Sequence, residues 1–575
     1  MATGGKVLLL VLSVLGVSSV VGCGKSQRAP NTIQDGVLVQ DKTLTREQVQ
    51  ELNPDHDVTV VNAEENIYKI QGAKLAEVVE KMPTAHVEED LIYNFRNPNR
   101  DFTRYDAVDD VIEKLGCKKA APNDPVRAGI RVVGNPDFLA YLTVEAGSSP
   151  IRLSSVTREP ASLEEDSGSF WDPLKSLFGS QNDTDFEIHW FVEPAPGSKT
   201  LTYSTNKEIL VNPDRPGEYV AILLVQNKAT GGCKINGEAI GATINKKFVG
   251  SSSAPSVYSS QKFFHVPLVN GEEAWELSHG EGVTIAIIDS GVNYNHPDLA
   301  RNILINKGEI PDNGIDDDGN GYVDDVSGYD FAIGDAYPYD DQSHGTHVAG
   351  LAASSTYGIA KKAKILPIKA LLPTGSGSVS AIVSSIYYAV KQNVDVINMS
   401  LGGEGETSPL LTAALRKAQE KGIIVVAASG NTKLNADTKM TFFTSRDGTN
   451  VLSVSATDEN DSLTSYSNYG SVIDIAAPGG TRENPLMSAY SLPEFSTHIG
   501  YPGTSMASPV AAGVAALVKS VNPRLNAEEV KRIIVNTGRV SPALQNKVRS
   551  SQVIDAHGAV KAALSFNSLA LTAAQ

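Results

Sequence analysis

The chain has 575 residues, which is too long for a single hydrophobic core, so we expect about two to four domains. Its 49 basic and 66 acidic side chains give a formal net charge of −17, which argues against nucleic acid or an anionic membrane surface as a partner. A hydrophobic fraction of 41% indicates a folded protein and excludes a mainly disordered one.

The first 23 residues have the pattern of an export signal. Lys6 precedes an apolar run from Val7 to Val21, which is shorter than the roughly 20 residues that a membrane helix needs. The run ends in VVGC and is similar to bacterial lipoprotein signals, in which the cysteine, here Cys23, becomes the lipidated first residue. An ordinary signal peptide and an uncleaved anchor are the alternatives. We expect a bacterial protein that is either held at the cell envelope by a lipid on Cys23 or secreted.

Two further cysteines, Cys117 and Cys233, remain once Cys23 is set aside. In an exported chain a remaining pair of cysteines favours one disulfide. Two buried thiols are the alternative. Neither cysteine lies near the polar motifs described below, so a catalytic thiol is not expected.

A polar tether over residues 24–34 leads into a small α+β unit over residues 35–98. DVTVVNAEENIYKIQG predicts a strand and a turn, AKLAEVVEKMP predicts an amphipathic helix, and AHVEEDLIYNF predicts a second strand. Together these elements predict a small mixed unit.

An all-β domain is predicted over residues 118–249. Short apolar runs separated by Pro and Gly predict strands at GIRVVG, FLAYLTVEA, FEIHWFVEP, KEILVN and GEYVAILLVQN. Their spacing is typical of a β-sandwich, and PDRPGEYVAILLVQN resembles the late strands of immunoglobulin-like repeats. The polar stretch over residues 154–185 predicts a long loop. A spacer or pro-region role is favoured over binding of a specific ligand.

A Ser-rich linker over residues 250–262 precedes an α/β domain over residues 263–566. Apolar, β-rich runs (KILPIKAL, VDVINMSL, IIVVAASG) alternate with helical patterns (SVSAIVSSIYYAVKQ, PLLTAALRKAQEKG). Such alternation implies parallel crossovers and therefore a doubly wound, mostly parallel sheet. NAEEVKRIIVNTG predicts the final helix, with an Asn cap at its start and Gly538 at its end.

Three separated motifs in this α/β domain carry an acid, a base and a nucleophile. Asp289 closes the buried-strand pattern of VTIAIIDSGV, His344 opens HGTHVAG, and Ser505 lies in GTSMASP at the start of a helical pattern. A serine hydroxyl needs an imidazole to take its proton, and the imidazole needs a carboxylate to fix its tautomer. Alone, each residue could be an ordinary turn or cap residue. Together they predict a serine hydrolase.

The order Asp, His, Ser and the motifs around these residues resemble the subtilisin-like serine proteases. This resemblance implies a monomeric serine endopeptidase that hydrolyses protein or peptide substrates through an acyl-enzyme.

 The resemblance to subtilisin-like proteases also places Asn431, at the end of IIVVAASGN, as the oxyanion donor together with the backbone N–H of Ser505. Thr504 is a minor contributor. An α/β-hydrolase esterase would need G-x-S-x-G and another residue order, and a non-catalytic adhesion lipoprotein would predict a decayed triad.

The same resemblance implies where a substrate binds and how the enzyme is held inactive. Two backbone segments would flank an extended peptide: Gly375, Ser376 and Gly377 on one side, and Ser400, Leu401 and Gly402 on the other. Residues 427–430 would form a wall of the specificity pocket, while FFTSRDG departs from the family's usual next motif. Residues 35–98, through PTAHVEED, resemble the inhibitory propeptide of subtilisins. A small adaptor without an inhibitory role is the alternative.

An acidic insertion, PDNGIDDDGNGYVDDVSGYDF, predicts a structural Ca²⁺ site. Asp316, Asp318 and Asn320 fit positions 1, 3 and 5 of an EF-hand loop, and Gly321 fits position 6. Position 12 is not Glu, so the loop is not an EF-hand. The remaining ligands are predicted to be the Tyr322 carbonyl and the carboxylates of Asp324 and Asp325. A metal-free surface loop is the alternative.

Overall fold

The computed structural model describes residues 32–94, separate strands between residues 118 and 243, and residues 247–572, apart from residues 55, 83–84, 252, 374, 403–404, 406, 445–446 and 492–497. The predicted signal over residues 1–23, with its lipidated Cys23, lies outside the described residues. The predicted disulfide involves Cys117, which also lies outside them.

The N-terminal unit is an antiparallel sheet with two short helices. Its elements are β1 (Thr32–Gln40), α1 (Arg46–Leu52), β2 (Val58–Asn62), β3 (Ile67–Gln71), α2 (Leu75–Lys81) and β4 (His86–Asn94), and its strands lie in the order β4-β1-β3-β2. The predicted turn, helix and last strand are confirmed. Strand β1 begins at Thr32, inside the predicted tether, and helix α1 was not predicted.

The sheet of this unit is apolar on both faces. Val37, Val39 and Ile70 pack in a small core with residues of α1 and α2. Leu38, Val61 and Ile67 instead belong to the same core as the helices of the C-terminal domain. Because successive side chains of a strand point to opposite faces, the sheet separates these two cores.

The middle of the chain forms two β-sheets. One has the order β10-β9-β12-β13-β5, with β7 also paired to β13, and the other has the order β11-β8-β6. The strands are β5 (Lys118–Lys119), β6 (Gly129–Val132), β7 (Leu142–Glu145), β8 (Ile151–Val156), β9 (Phe186–Glu193), β10 (Tyr203–Ser204), β11 (Glu208–Val211), β12 (Gly217–Asn227) and β13 (Gly232–Thr243). All five predicted strand runs contain strands. The immunoglobulin-like sandwich stays a prediction.

The C-terminal domain alternates strands and helices as predicted. Its strands are β14 (Thr284–Asp289), β15 (Tyr329–Asp330), β16 (Lys364–Lys369), β17 (Ser376–Ser378), β18 (Val396–Met399), β19 (Ile424–Ala428), β20 (Val451–Thr457), β21 (Ile475–Pro478), β22 (Leu486–Ala489), β23 (His498–Tyr501), β24 (Arg539–Val540) and β25 (Gln552–Val553). Its helices are α3 (His265–Leu268), α4 (Gly271–Trp275), α5 (His344–Ala353), α6 (Val379–Lys391), α7 (Pro409–Glu420), α8 (Thr504–Val521), α9 (Ala527–Thr537) and α10 (Ala556–Thr572), with a 3₁₀ turn at Pro542–Leu544. Helix α9 is not the last one, because α10 follows it.

The main sheet is mostly parallel and doubly wound. Its order is β15-β16-β14-β18-β19-β20-β21-β25-β24, and only the last pair is antiparallel. The chain passes from β14 to β16 on one side and then to β18 on the other, so the carboxyl end of β14 is a switch point where open α/β sheets place their sites.

Helices cover both faces of this sheet. Ile285 and Ile287 of β14 pack in one core with α5 and α8, and Ala286 and Ile288 pack in the other with α6 and α7. Strands buried on both faces explain the continuous apolar runs in the sequence. Among the described residues, α8 alone is long and apolar enough to cross a membrane, and 83% of it is buried inside the domain, as expected for a core helix.

Candidate active site

Asp289 ends the central strand β14 at the switch point of the sheet. Its side chain is fully buried, and one carboxylate oxygen, Oδ1, accepts a hydrogen bond of 2.7 Å from the backbone N–H of Ser290. The β-branched run before it forms the buried strand, and the first polar side chain therefore emerges at the carboxyl edge.

His344 is the first residue of α5, and a tight approach of this helix to β14 brings it to Asp289. A Cβ on Gly345 would clash with the carbonyl oxygen of Gly291, so only glycine permits this contact. Ser343, just before the helix, has a left-handed backbone with φ of 84°, which is a strained conformation for serine. Its N–H donates to the buried carboxylate of Asp340, which holds the strained turn.

His344 and Asp289 form a direct hydrogen-bonded pair. The Nδ1 atom of His344 lies 2.7 Å from Oδ1 of Asp289, and the histidine side chain keeps 26% of its surface exposed. Burial favours the neutral ring, but the charge and hydrogen bond of Asp289 outweigh this effect and raise the pKa of His344 above its usual value. With Nδ1 held by the carboxylate, Nε2 is the atom left to exchange a proton.

Ser505 lies in the first turn of the core helix α8 and is partly exposed. Its hydroxyl donates to the carbonyl oxygen of Ser400 at 3.2 Å, and Ser400 Oγ donates back to the carbonyl oxygen of Ser505 at 2.8 Å. Among the described residues the Ser505 hydroxyl forms no hydrogen bond with His344. Catalytic hydrogen bonds often form only once substrate is bound, so this resting geometry does not remove Ser505 as a candidate nucleophile.

Asn431 is oriented by the residue before Ser505. Its side-chain oxygen accepts hydrogen bonds of 2.9 Å from both the N–H and the hydroxyl of Thr504. Because a backbone N–H can only donate, the oxygen must face Thr504, and the NH₂ group is left to donate elsewhere. The Thr504 hydroxyl is occupied by Asn431, and its oxygen also accepts from the N–H of Gly430.

The two predicted substrate-binding segments have different partners. Ser376–Ser378 forms β17, and it pairs with β4 of the N-terminal unit through Ser376 with Asn94 and Gly377 with Tyr93. Ser400, on the other segment, contacts Ser505 directly. The N-terminal unit therefore occupies an edge that the sequence assigns to substrate.

The acidic insertion folds into a cluster that differs in part from the predicted one. Oxygen atoms of Glu309, Asp316 and Asp318 lie within 4.8 Å of one another. Glu309 was missed because it precedes the DDDGNG loop. The predicted ligands Asp324 and Asp325 are not part of this cluster. Asp324 accepts from two backbone N–H groups, and Asp325 accepts from Tyr388 Oη at 2.6 Å.

Two histidines near the motifs have structural contacts. His347 is buried, its Nε2 lies 3.0 Å from the carbonyl oxygen of Leu486, and burial lowers its pKa to about 3. These contacts make His347 a packing residue and not a second base. His296 is also buried, and its Nδ1 accepts from the N–H of Asp298.

Comparison with known proteins identifies this domain. The model of the subtilase family matches residues 280–554. Thermitase from Thermoactinomyces vulgaris is 36% identical over 49% of this chain and 89% of its own length. The chain belongs to the subtilase family. Subtilisin DY from Bacillus licheniformis is 34% identical over 48% of this chain and 90% of its own length. An extracellular protease from Xanthomonas campestris pv. campestris is 36% identical over 52% of this chain and 54% of its own length.

Membership of this family makes the protein a subtilisin-like serine endopeptidase, with a doubly wound α/β subtilase domain. The matched residues span the strands and helices that carry Asp289, His344, Asn431 and Ser505. The N-terminal unit and the middle sheets lie outside the matched range.

Proposed function

We propose that this subtilase cleaves peptide bonds with Ser505 as nucleophile, His344 as general base and Asp289 as the residue that orients the imidazole. The 2.7 Å hydrogen bond between Asp289 and His344, at the switch point of the sheet, is the observation that carries this proposal. Ser505 attacks the substrate carbonyl and His344 takes its proton. The protonated imidazole then gives that proton to the leaving amine, and water releases the acyl-enzyme in the same way.

Oxyanion stabilisation is assigned to two donors at the start of α8. The NH₂ group of Asn431 is free to donate because Thr504 holds the amide oxygen. The N–H of Ser505 lies in the first turn of a helix, where backbone N–H groups have no intrahelical acceptor. Together they can hold the negative charge that develops on the attacked carbonyl oxygen.

A fluorophosphonate probe tests this function, because it forms a covalent bond only with an activated serine. The processed wild-type enzyme should be labelled, and mass spectrometry of its peptides should place the label on Ser505. Prior heat denaturation provides the control, since unfolding separates the three residues. Labelling at another serine, or equal labelling of the denatured chain, would contradict the proposal.

The pH dependence of activity should show the raised pKa of His344. Only the neutral imidazole accepts the serine proton, so kcat/KM should fall as pH falls, with a midpoint above about 6.5. In Asp289→Asn the carboxylate charge is lost while burial remains. The midpoint should therefore move to lower pH, and kcat should fall about 10⁴-fold, as in other triad proteases. The measurement is kcat/KM of both enzymes for a peptide substrate, at pH values below and above the expected midpoint. A midpoint that is the same in both enzymes would contradict the assigned pair.

We also propose that residues 32–94 act as an inhibitory prodomain. Strand β4 pairs with β17, so its end lies on the predicted substrate edge. Its Asp90 is fully buried, forms an ion pair of 2.9 Å with Lys69 and accepts from the N–H and hydroxyl of Ser380, near the start of α6. Glu88 accepts in the same way from the N–H of Leu410 at the start of α7.

The two acidic residues thus face the positive ends of two helices, where carboxylates are stabilised. Charge pairs at the rim add to this contact: Lys417 with Glu65 at 3.3 Å and Lys391 with Glu64 at 3.5 Å. The apolar face described above completes the interface. An adaptor without an inhibitory role would not need to reach the substrate edge.

Export is proposed from the signal-like first 23 residues and from the name of the similar Xanthomonas enzyme, an extracellular protease. The lipid anchor on Cys23 is the finer part of this proposal, and growth with radiolabelled palmitate distinguishes it from plain secretion. We infer that the protease works outside the cytoplasm on proteins or peptides.

A Ca²⁺ ion is proposed at the cluster of Glu309, Asp316 and Asp318. Ca²⁺ prefers carboxylate and carbonyl oxygens at 2.3–2.6 Å, so oxygens within 4.8 Å of one another can bind one ion. The predicted amide of Asn320 and carbonyl of Tyr322 lie on the same loop. When bound, the ion supplies charge neutralisation and rigidity, and no catalytic step depends on it.

Removal of Ca²⁺ should lower the melting temperature. An ion present at about 100 times its Kd stabilises the folded state by about 2.7 kcal/mol, so EGTA should shift Tm by several degrees. Added Ca²⁺ should restore Tm, whereas Mg²⁺ should not, because it demands a tighter octahedral shell. The double variant D316N/D318N should melt at the same temperature with and without Ca²⁺. A Tm of the wild type that ignores EGTA would contradict the site.

A further inference from the structure

A buried lysine lies at the edge of the sheet that carries the triad. Lys369 is the last residue of β16, it pairs with Asp289 in the parallel ladder, and it is 1% exposed. Burying a charged group is unfavourable unless it is paired and hydrogen-bonded. Its position therefore needs a specific explanation.

Every proton of the Lys369 ammonium group has an acceptor. Nζ donates to the carbonyl oxygen of Ser290 at 2.9 Å, to Oδ1 of Asp341 at 2.8 Å and to the carbonyl oxygen of Leu371 at 2.7 Å. Burial would lower the pKa of Lys369, but the charge of Asp341 and of other nearby carboxylates raises it above the usual value. The three acceptors and the nearby carboxylates therefore favour the charged form of Lys369.

The three acceptors lie on three different functional segments. Ser290 follows Asp289, and Asp341 lies in the loop that leads into His344. Leu371 belongs to the segment that leads into β17, on the predicted substrate edge. A single ammonium group thus connects the parts that carry the acid, the base and one wall of the substrate groove.

A second set of hydrogen bonds fixes the same loop to β14. The Ser290 hydroxyl donates to Asp340 at 2.9 Å and accepts from the N–H of Gly345 at 2.9 Å. The other oxygen of Asp340 accepts from the N–H of Thr346 at 2.8 Å. The turn before His344 therefore has little freedom to move once Lys369 and Asp340 are in place.

We propose that Lys369 is a positioning residue for the proton transfer, which holds the Asp289 strand, the loop before His344 and the substrate-edge segment in one arrangement. This inference rests on the proposed triad. Lys369 does not touch the reacting atoms and acts through Ser290 and Asp341. Its loss would leave the Asp341 charge buried without a partner and would free the loop before His344 to shift.

Lys369→Met tests the proposal, because methionine is similar in length and removes only the charge and its three hydrogen bonds. We expect kcat to fall about 10- to 100-fold, since small displacements of catalytic groups cost that much, while KM changes less than about threefold. Titration with a fluorophosphonate gives the concentration of competent enzyme, so that kcat refers to folded molecules only.

Lys531→Met is the matched control. Lys531 is also buried and forms an ion pair of 2.9 Å with Asp474. It donates to the carbonyl of Val451, the first residue of β20, at the amino ends of the parallel strands and so away from the triad. We expect both variants to lose thermal stability and only Lys369→Met to lose kcat. A loss of kcat in Lys369→Met no larger than that in Lys531→Met would overturn the proposal.

The double variant K369M/D341L keeps the test decisive if Lys369→Met does not fold. Replacing both partners of a buried ion pair with apolar groups is often neutral or stabilising. This enzyme should fold and still have a low kcat, and a wild-type kcat would overturn the positioning role. Ser505→Ala separates the two proposals: if it remained fully active the triad itself would fail, whatever Lys369 does.

Discussion

Replacement of Ser505 with alanine should abolish peptide hydrolysis and leave the fold intact. The loss in kcat should be about 10⁶-fold, which is the value known for the serine of the related enzyme subtilisin. Ser505 is partly exposed, and within the part of the chain that the structure describes its hydroxyl donates only to the carbonyl oxygen of Ser400, so little stability depends on it. Steady-state kinetics with a chromogenic peptide gives kcat, and the melting temperature checks the fold.

The same variant also tests the prodomain. If the wild-type enzyme cuts its own chain after β4, Ser505→Ala should accumulate at full length, with the β4–β17 pairing preserved. Addition of a small amount of active wild-type enzyme should then convert it by cleavage in trans. Identical processing of both chains, in a host that lacks other proteases, would show that the enzyme does not mature itself.

Asn431→Leu should lower kcat by about 10²–10³-fold with little change in KM. This is the loss found for the equivalent oxyanion donor in subtilisin, and its cause is that the hydrogen bond forms only as the transition state develops. Leucine has a similar volume but cannot donate. It also cannot accept from Thr504, so the variant removes the contact that orients the side chain as well.

Asn431→Asp is the informative control for that contact. Its carboxylate can still accept from Thr504 but can no longer donate to the oxyanion, and its charge opposes the developing one. It should therefore be at least as impaired as Asn431→Leu while the start of α8 stays ordered. Full activity in either variant would remove Asn431 from the catalytic group, and a raised KM with unchanged kcat would indicate a role in ground-state binding only.

The sequence predicts the core of the catalytic domain well because burial leaves clear patterns. Strands buried on both faces appear as continuous apolar runs, and the polar residue that follows each run marks the functional edge. Asp289 and Asn431 were found in this way. Their approach to His344 and Ser505 follows from the parallel sheet order, since strands β14, β18 and β19 are neighbours and end at one edge.

Other elements carry weaker local signals. Strand β1 contains Gly36 and polar residues, and α1 has a single buried side chain, Val49, so neither shows a regular apolar period. Helix α10 follows a predicted final helix and has few charged residues to define a face. In these cases tertiary contacts decide the structure, and local propensity is a poor guide.

Glu309 and Lys369 show what spacing alone cannot provide. Glu309 lies outside the DDDGNG loop, and only folding brings its carboxylate to Asp316 and Asp318. Lys369 ends a strand, where a lysine is usually solvated, and nothing in KILPIK indicates that it is buried. Its three acceptors come from residues before and after it in the chain, and so only the fold brings them together.

The apolar face that the N-terminal sheet turns to the catalytic domain affects whether release of this unit can be reversed. Leu38, Val61 and Ile67 are buried in the core that they share with the helices of the catalytic domain, so separation from that domain would expose them. After cleavage, the free fragment would expose this apolar surface to water and would tend to unfold or aggregate. An unfolded chain is readily cleaved by a protease. Activation would then be irreversible, because each released fragment is degraded and cannot bind again. The rate of activation would rise with time, because each newly active enzyme molecule can degrade further fragments.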